Sequence, residues 1–365
     1  MLLALVRCLP FVIALAVLAI ELTPAHFIYT GPLLTAVPAL AAVTADPRRT
    51  ATAGALTLAI SVTTATYNQA WGTPQVYTNF LALTLVSVAG FITSSAVRAY
   101  RRRELDQVRR IAVCAQEVIL RPVPERLGPV RAASLCLVAG TEAQVGGDLY
   151  EAVHTRYGVR MIVGDVRGKG LSAMRAVAAA LGAFRVVAHY EDDLVEVMNH
   201  CAAALRREVA VPGAYSEEVL MEGFTTALIA QVPDDEPVVQ LVNRGHPPPL
   251  LLHAGRTQPL LPTSPLPPLG LEDLIAGLPE KPESHPFVAG DRLLLYTDGV
   301  IEARNPGNDF FPLTQTIGTI SSSTPEECLR QLHQALIRHT EGHLADDVAM
   351  ILADRLGEGT GRPVT

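Results

Sequence analysis

The sequence predicts an α+β domain of layered antiparallel sheets, preceded by a helical region embedded in a membrane. Three observations carry this. Positions 1–97 hold only two acidic residues, Glu21 and Asp46, and three basic ones, Arg7, Arg48 and Arg49, which leaves 34 of the 36 acids and 26 of the 29 bases for positions 98–365. After Arg131, short β-rich runs alternate with helical stretches, and several runs are joined by tight turns, as in antiparallel pairing. Aspartates recur at the ends of those runs, flanked by glycine or by apolar residues. A chain of 365 residues suits two or three units.

The apolar region comes first. Four stretches stand out, at 9–23, 27–45, 50–67 and 76–97. A span needs about 20 apolar residues, so the second and fourth are comfortable and the first and third are short. Pro24, Pro32 and Pro38 would break soluble helices but are tolerated in a packed membrane bundle. Tyr67, Trp71 and Tyr77 cluster around the third loop, where aromatic residues mark an interface. With the amino terminus inside, Arg7, Arg48, Arg49, Arg98 and Arg101–Arg103 all fall on the cytoplasmic side, and the outer loops near Ala25 and Asn68–Gln75 carry no Lys or Arg. A cleaved signal peptide competes for the first stretch only, and three more apolar stretches follow it. The expectation is a multi-pass protein of the cell membrane, with about four helices over 1–97 and everything after Val97 in the cytoplasm. The outer loops are too short to fold into a sensor.

A connector, 98–130, follows. Leu105, Val108, Ala112, Ala115 and Ile119 recur at alternating spacings of three and four, an a/d seam that Pro122 and Pro124 bring to a stop. Two readings stay open: an amphipathic helix packed on its own domain, or a homodimeric helix that passes a signal from the membrane.

The cytoplasmic domain is expected over 131–354, with a flexible tail at 355–365. Strands are read at 133–139, 148–155, 159–166, 225–232, 238–242, 249–253, 292–296 and 348–353, and helices at 171–190, 194–209 and 325–340. This part is acidic without a basic stripe, which argues against nucleic acid as a partner. The five cysteines lie far apart with no C-x-x-C spacing, so neither a disulfide framework nor a zinc site is expected.

The chemistry lies in the aspartates. Asp148 opens a strand in Val145-Gly-Gly-Asp-Leu-Tyr150, Asp165 ends the next apolar run before Val166, Asp298 ends another before Gly299, and Asp346-Asp347 precede the last strand. Buried carboxylates are costly unless paired or bound to cations. If the strands are neighbours, several acids converge at one end of the sheets. Hard oxygen ligands of this kind suit Mg²⁺ or Mn²⁺ rather than zinc.

Together with Asn243-Arg-Gly-His-Pro-Pro-Pro249, these motifs resemble the type 2C, metal-dependent (PPM) protein phosphatases in their bacterial SpoIIE-like branch. The resemblance covers about residues 131–354 and implies a four-layer αββα sandwich of two antiparallel sheets with a two-metal site at one end. It also implies residue roles. Asp165 would bridge two divalent cations, Mn²⁺ or Mg²⁺, and the Val166 carbonyl would add an oxygen. Asp148 would help hold one metal, with Asp298 and either Asp346 or Asp347 on the other; Asp346 is favoured as the first acid of its pair. The activity implied is hydrolysis of phosphoserine or phosphothreonine by a water shared between the metals. The implied substrate is a phosphorylated regulatory protein such as an anti-sigma-factor antagonist. The chain departs from the family pattern at Arg167, Arg244 and Glu151, where Ser, Ala and Asp are usual. None of these removes a metal carboxylate. Arg167 and Arg244 are weak candidates for binding phosphate or the protein substrate, beside an ordinary solvated role. His246 is read as fixing a turn rather than as a general acid.

Two other functions were weighed. A catalytically silent membrane sensor or scaffold would use the same domain for protein binding, but has no need of five metal-site acids. A diguanylate cyclase is suggested by Gly146-Gly-Asp and excluded by the Leu149-Tyr150 that follows it.

Overall fold

The computed structural model describes residues 2–21, 31–44, 46–139, 146–168, 170–210, 224–271 and 281–357. The expected outer loop near Ala25, residues 211–223 and 272–280, and the tail beyond 357 lie outside the described residues. The chain divides into two compact units between Gln107 and Val108.

The first unit is helical: α1 Leu2–Glu21, a 3-10 turn Gly31–Thr35, α2 Ala36–Thr44, α3 Pro47–Tyr67, and the first part of α4 Pro74–Ile119. Its small core gathers Ala14, Val17, Leu34, Val37, Ile60 and Leu83. Small residues let the helices approach closely. A Cβ on Gly54 would meet Ser87 Oγ at 2.9 Å, and one on Gly90 would meet the Pro38 carbonyl at 3.2 Å. Asp46, directly before α3, pairs with Arg98 of α4. Of the four expected spans, the described residues contain one helical stretch long and apolar enough to cross a membrane, Pro74–Arg101. Cys8–Glu21 and Pro32–Thr44 are shorter apolar helices, and α3 has the length but is rich in threonine. α4 runs unbroken for 46 residues, because neither proline nor glycine stands between Val97 and Ile119. The change from apolar to charged residues at Arg98 thus marks no break in the backbone.

The second unit holds two antiparallel sheets. The first pairs β1 Arg126–Leu127, β2 Val130–Leu137, β7 Leu250–His253, β8 Arg256–Pro259, β10 Arg292–Tyr296 and β11 Val348–Arg355 in the order β1-β2-β11-β10-β7-β8. The second pairs β3 Asp148–Thr155, β4 Gly158–Val166, β5 Thr225–Val232, β6 Val238–Arg244 and β9 Glu283–Pro286 in the order β3-β4-β5-β6-β9. Helices α5 Leu171–Val187 and α6 Leu194–Val209 follow β4, and α7 Asp298–Ile301, α8 Leu313–Thr319 and α9 Pro325–His339 lie between β10 and β11.

Side-chain alternation sets the layers. In β10, Leu293 and Leu295 enter the core shared with β3–β6, α5 and α6, whereas Leu294 and Tyr296 face the cluster formed with Leu313, Ile317, Leu329 and Leu332 of α8 and α9. β11 does the same, with Ala349, Ile351 and Ala353 on one side and Val348, Met350 and Leu352 on the other. In β4, Met161, Ile162 and Val163 are all buried, because this sheet is covered on both faces. The result is the four-layer αββα sandwich that the sequence predicts. α9 is closed at its start by the Thr324 hydroxyl, which accepts the Glu327 N–H at 3.2 Å.

Candidate metal centre

The site lies where β3 begins, β4 ends, β10 ends and β11 begins. Asp148 and Asp165 stand directly opposite each other in the β3–β4 ladder, so two carboxylates occupy one cross-strand pair. Like charges there repel unless a cation separates them. Asp148 is 3% exposed, and its carboxyl is raised well above the usual aspartate range, first by burial, then by Asp165, with Asp347 and Asp298 adding to it. The Thr297 hydroxyl donates to Asp148 Oδ2 at 2.8 Å and opposes that shift.

The other sheet supplies its acids from turns. Asp298 opens α7 directly after β10, and burial, Glu302 and Asp346 push its carboxyl up. Asp347 is buried, and its Oδ1 accepts the Ala139 N–H at 2.6 Å; Asp346 is exposed and accepts the Asp347 N–H at 3.1 Å. The ends of β10 and β11 are tied by reciprocal bonds: Thr297 N–H to the Ala349 carbonyl at 3.0 Å, and Ala349 N–H to Thr297 Oγ1 at 2.9 Å.

Glycine is required where these segments meet. A Cβ on Gly146 would overlap Asp347 Oδ2, and one on Gly147 would overlap the Val166 carbonyl and lie 3.0 Å from Asp165 Oδ1. A Cβ on Gly299 would overlap the Asp347 carbonyl. The Gly146-Gly147 backbone is therefore pressed against acids of both sheets, and the Val166 carbonyl lies beside the Asp165 carboxylate.

Asp148, Asp165, Val166, Asp298, Asp346 and Asp347 are thus gathered at one end of the sandwich. The donors are carboxylate and carbonyl oxygens, a set suited to Mg²⁺ or Mn²⁺. Among the described residues no three His, Cys, Asp or Glu side chains already form a coordination group. The acids stand as neighbours, and the absence of side chains at Gly146, Gly147 and Gly299 lets their oxygens and the Val166 carbonyl come close to the backbone there. The two arginines differ: Arg167 is exposed with its guanidinium 5.1 Å from the Phe224 ring, whereas Arg244 is buried at the end of β6.

His246 is buried with both ring nitrogens engaged: Nε2 lies 3.0 Å from the Tyr296 carbonyl and Nδ1 lies 2.9 Å from Thr226 Oγ1. Burial lowers its pKa to about 3, so the ring is neutral. Its own turn is fixed too, by Asn243, whose Oδ1 accepts the His246 N–H at 2.8 Å. Sequence reasoning missed Thr297 and Thr226 as partners of the site; the adjacency of Thr297 to Asp298 was the only available signal.

Comparison with known proteins agrees with this arrangement. The profile of the SpoIIE family, Stage II sporulation protein E, matches residues 155–356, so Asp148 lies just before the matched part. Phosphoserine phosphatase RsbP of Bacillus subtilis is 26% identical over 216 residues, 58% of this chain and 50% of that protein, so the chain spans about half the length of this curated relative. The structure of the RsbU and RsbW domains of a Mycobacterium tuberculosis protein is similar at 27% identity and TM-score 0.53, over 65% of this chain and 62% of that one. The SiaA-PP2C domain of Pseudomonas aeruginosa shares the fold at 17% identity and TM-score 0.55, over 71% of this chain and 99% of that domain. A glycine-lined end of two stacked sheets, ringed by aspartates and matched over more than half the sequence, places this chain in the SpoIIE family, on a PP2C-type phosphatase fold.

Proposed function

We propose that this chain is a divalent-cation-dependent phosphoserine/phosphothreonine phosphatase, held at the membrane with its phosphatase domain in the cytoplasm. The Asp148–Asp165 ladder pair carries this reading, because two opposed carboxylates at a buried strand end make sense as cation ligands. Asp165 would hold both Mn²⁺ or Mg²⁺ ions, with an oxygen added by the Val166 carbonyl, Asp148 would hold one, and Asp298 with Asp346 the other, while Asp347 anchors the turn through Ala139. Such ions supply an acidified water and electrostatic stabilisation of a transferring phosphoryl group.

The chain's own side chains leave that work to the ions. Burial pushes the Cys136 and Cys201 thiols up to about 12, far from the thiolate a cysteine nucleophile needs at neutral pH. His246 is neutral and committed at both nitrogens, so it is not the general acid. Arg167, exposed beside Phe224, would meet an incoming phosphoprotein. The substrate class we favour is a phosphorylated regulatory protein such as an anti-sigma-factor antagonist, in keeping with the phosphoserine phosphatase named among the relatives.

For the membrane, Pro74–Arg101 is the strongest segment, and it leaves Leu81, Leu85, Phe91 and Ile92 exposed. α3 suits the same environment despite its threonines. The hydroxyls of Thr57, Thr63 and Thr66 each donate to the carbonyl four residues back, at 2.8 to 3.0 Å, and so need no water.

The test is hydrolysis of p-nitrophenyl phosphate and a phosphoserine peptide by the full chain in detergent, with Mn²⁺ and then with excess chelator. Manganese-dependent turnover abolished by the chelator is expected. Turnover that survives the chelator would overturn the mechanism, and metal binding without turnover on either substrate would favour the scaffold reading.

A further inference from the structure

Each ladder fixes neighbours within its own sheet, but nothing in a ladder fixes one sheet against the other. The apolar core between them is non-directional. A cation shared between sheets tolerates errors of only about 0.2 Å in its ligand distances. Directional links across the gap are needed, and two are seen among the described residues at the level of the carboxylates.

In the first, the Thr297 hydroxyl donates to Asp148 Oδ2 at 2.8 Å, from the end of β10 to the start of β3. In the second, Thr226 of β5, His246 and the Tyr296 carbonyl form a chain with steps of 2.9 and 3.0 Å. The Tyr296 carbonyl can only accept, so Nε2 carries the proton, and Nδ1 accepts the Thr226 hydroxyl. The two links leave consecutive residues, Tyr296 and Thr297, immediately before Asp298. They arrive at Asp148 directly and at Thr226, the ladder partner of Asp165. Asp148 and Asp165 face each other, so the links and the ladder close a ring around the carboxylates. Thr297 is 0% and His246 is 5% exposed, so the Thr297–Asp148 and His246–Tyr296 bonds are shielded from water.

We propose that Thr297 and His246 are positioning residues for the cation site, clamping the end of β10, and with it Asp298, to the sheet that carries Asp148 and Asp165. This rests on the divalent-cation reading above. Loss of a partner that orients metal ligands typically weakens metal affinity by about 10–100-fold.

The experiment is Mn²⁺ titration calorimetry on the full chain in detergent, beside the manganese dependence of phosphoserine-peptide hydrolysis. Thr297→Val keeps the shape and removes the hydroxyl, and His246→Asn is too short to reach Tyr296. Both raise the Mn²⁺ dissociation constant about 10–100-fold, and the manganese concentration needed for half-maximal hydrolysis rises with it. Thr297→Ser and His246→Gln, which restore the hydroxyl and a donor near the Nε2 position, recover wild-type affinity to within about threefold, a rescue that lost packing would not give. Wild-type affinity in folded Thr297→Val and His246→Asn overturns the proposal, as does failure of the conservative pair to rescue. If the disruptive variants do not fold, Thr226→Val, at the partly exposed far end of the His246 link, carries the same expectation at about tenfold. Unchanged affinity there removes His246 from the role. Wild-type chain that binds Mn²⁺ without turnover overturns the phosphatase reading but leaves the positioning proposal to the affinities; wild-type chain that takes up no Mn²⁺ overturns both.

Discussion

The two sheets contribute their acids in different ways. In the β3–β4 sheet the carboxylates sit inside the ladder, where Asp148 and Asp165 are register partners and their separation is set by backbone hydrogen bonds. In the β10–β11 sheet Asp298, Asp346 and Asp347 lie just beyond the strands, in turns closed by glycine and by single side-chain bonds. Burial does not follow that division: Asp148 and Asp347 are buried, Asp165 and Asp298 are half-buried, and Asp346 is open to solvent. The two halves differ instead in how their geometry is fixed, by strand register in one sheet and by turns in the other.

The sharpest way to break this comparison is to neutralise one acid from each sheet. Asp165→Asn is expected to remove Mn²⁺ binding and lower kcat/KM by about 10³ or more, of the order of the several kcal/mol that metal-held charge supplies, with Asp298→Asn clearly milder. Equal losses in a peptide hydrolysis assay would mean that ladder and turn are equivalent. Next is Gly147→Ala, whose new methyl collides with the Val166 carbonyl. Overpacking of this kind costs about 1–3 kcal/mol, and thermal unfolding should show it together with weakened Mn²⁺ uptake.

The rigid pair also has a pH signature. The Asp148 carboxyl is raised in the fold above its ordinary value of 3.8, so this group's contribution to the stability of the metal-free chain is fully present below that value and is lost as pH rises through the raised one. Melting of the chelated chain between pH 5 and 8 should fall with pH. Mn²⁺ should stabilise more at the upper end, where its ligands are ionised. Asp148→Asn should flatten the metal-free profile and raise its alkaline end by about 3 °C, roughly 1 kcal/mol for a domain of this size. A profile unchanged by this substitution would show that the ladder pair stores no repulsion. The smallest effect lies outside the site. Thr324→Ala uncaps α9, on the outer face of the β10–β11 sheet, and should cost about 1 kcal/mol in unfolding without changing Mn²⁺ affinity.

The interior strands were legible in the sequence. β3, β5 and β10 run over the residues expected, and β2, β4, β6, β7 and β11 differ at their ends by a few residues, because buried strands read as apolar runs. The strands not foreseen, β1, β8 and β9, all stand at sheet edges. β9 reads Glu-Ser-His-Pro and β8 Arg-Thr-Gln-Pro, polar and ending in proline, which is how edges avoid further pairing and also how they avoid recognition. The aspartates were legible because glycine and strand ends frame them. Thr297 and His246 were not legible as links across the sheets, since each bond joins segments that only the stacking of the sheets brings together. Before Arg98, hydropathy suggested four spans, while the described residues hold one sufficient stretch and a threonine-rich helix in which several hydroxyls bond to its own backbone.

The position of β11 sets a timetable. It lies between β2 and β10 in its sheet, and the bond from Ala139 to Asp347 closes across 208 residues. During synthesis at about 5–20 residues per second, β2 emerges roughly 10–40 s before the strand it pairs with. Through that interval β2 lacks its neighbour β11, and β10, made roughly 3–10 s before β11, waits more briefly, so the nascent chain must keep the apolar faces of β2 in particular from pairing elsewhere. The aspartate cluster is completed last, when Asp346 and Asp347 leave the ribosome with β11. A truncation anywhere before that strand removes the middle of a sheet and part of that cluster in one stroke.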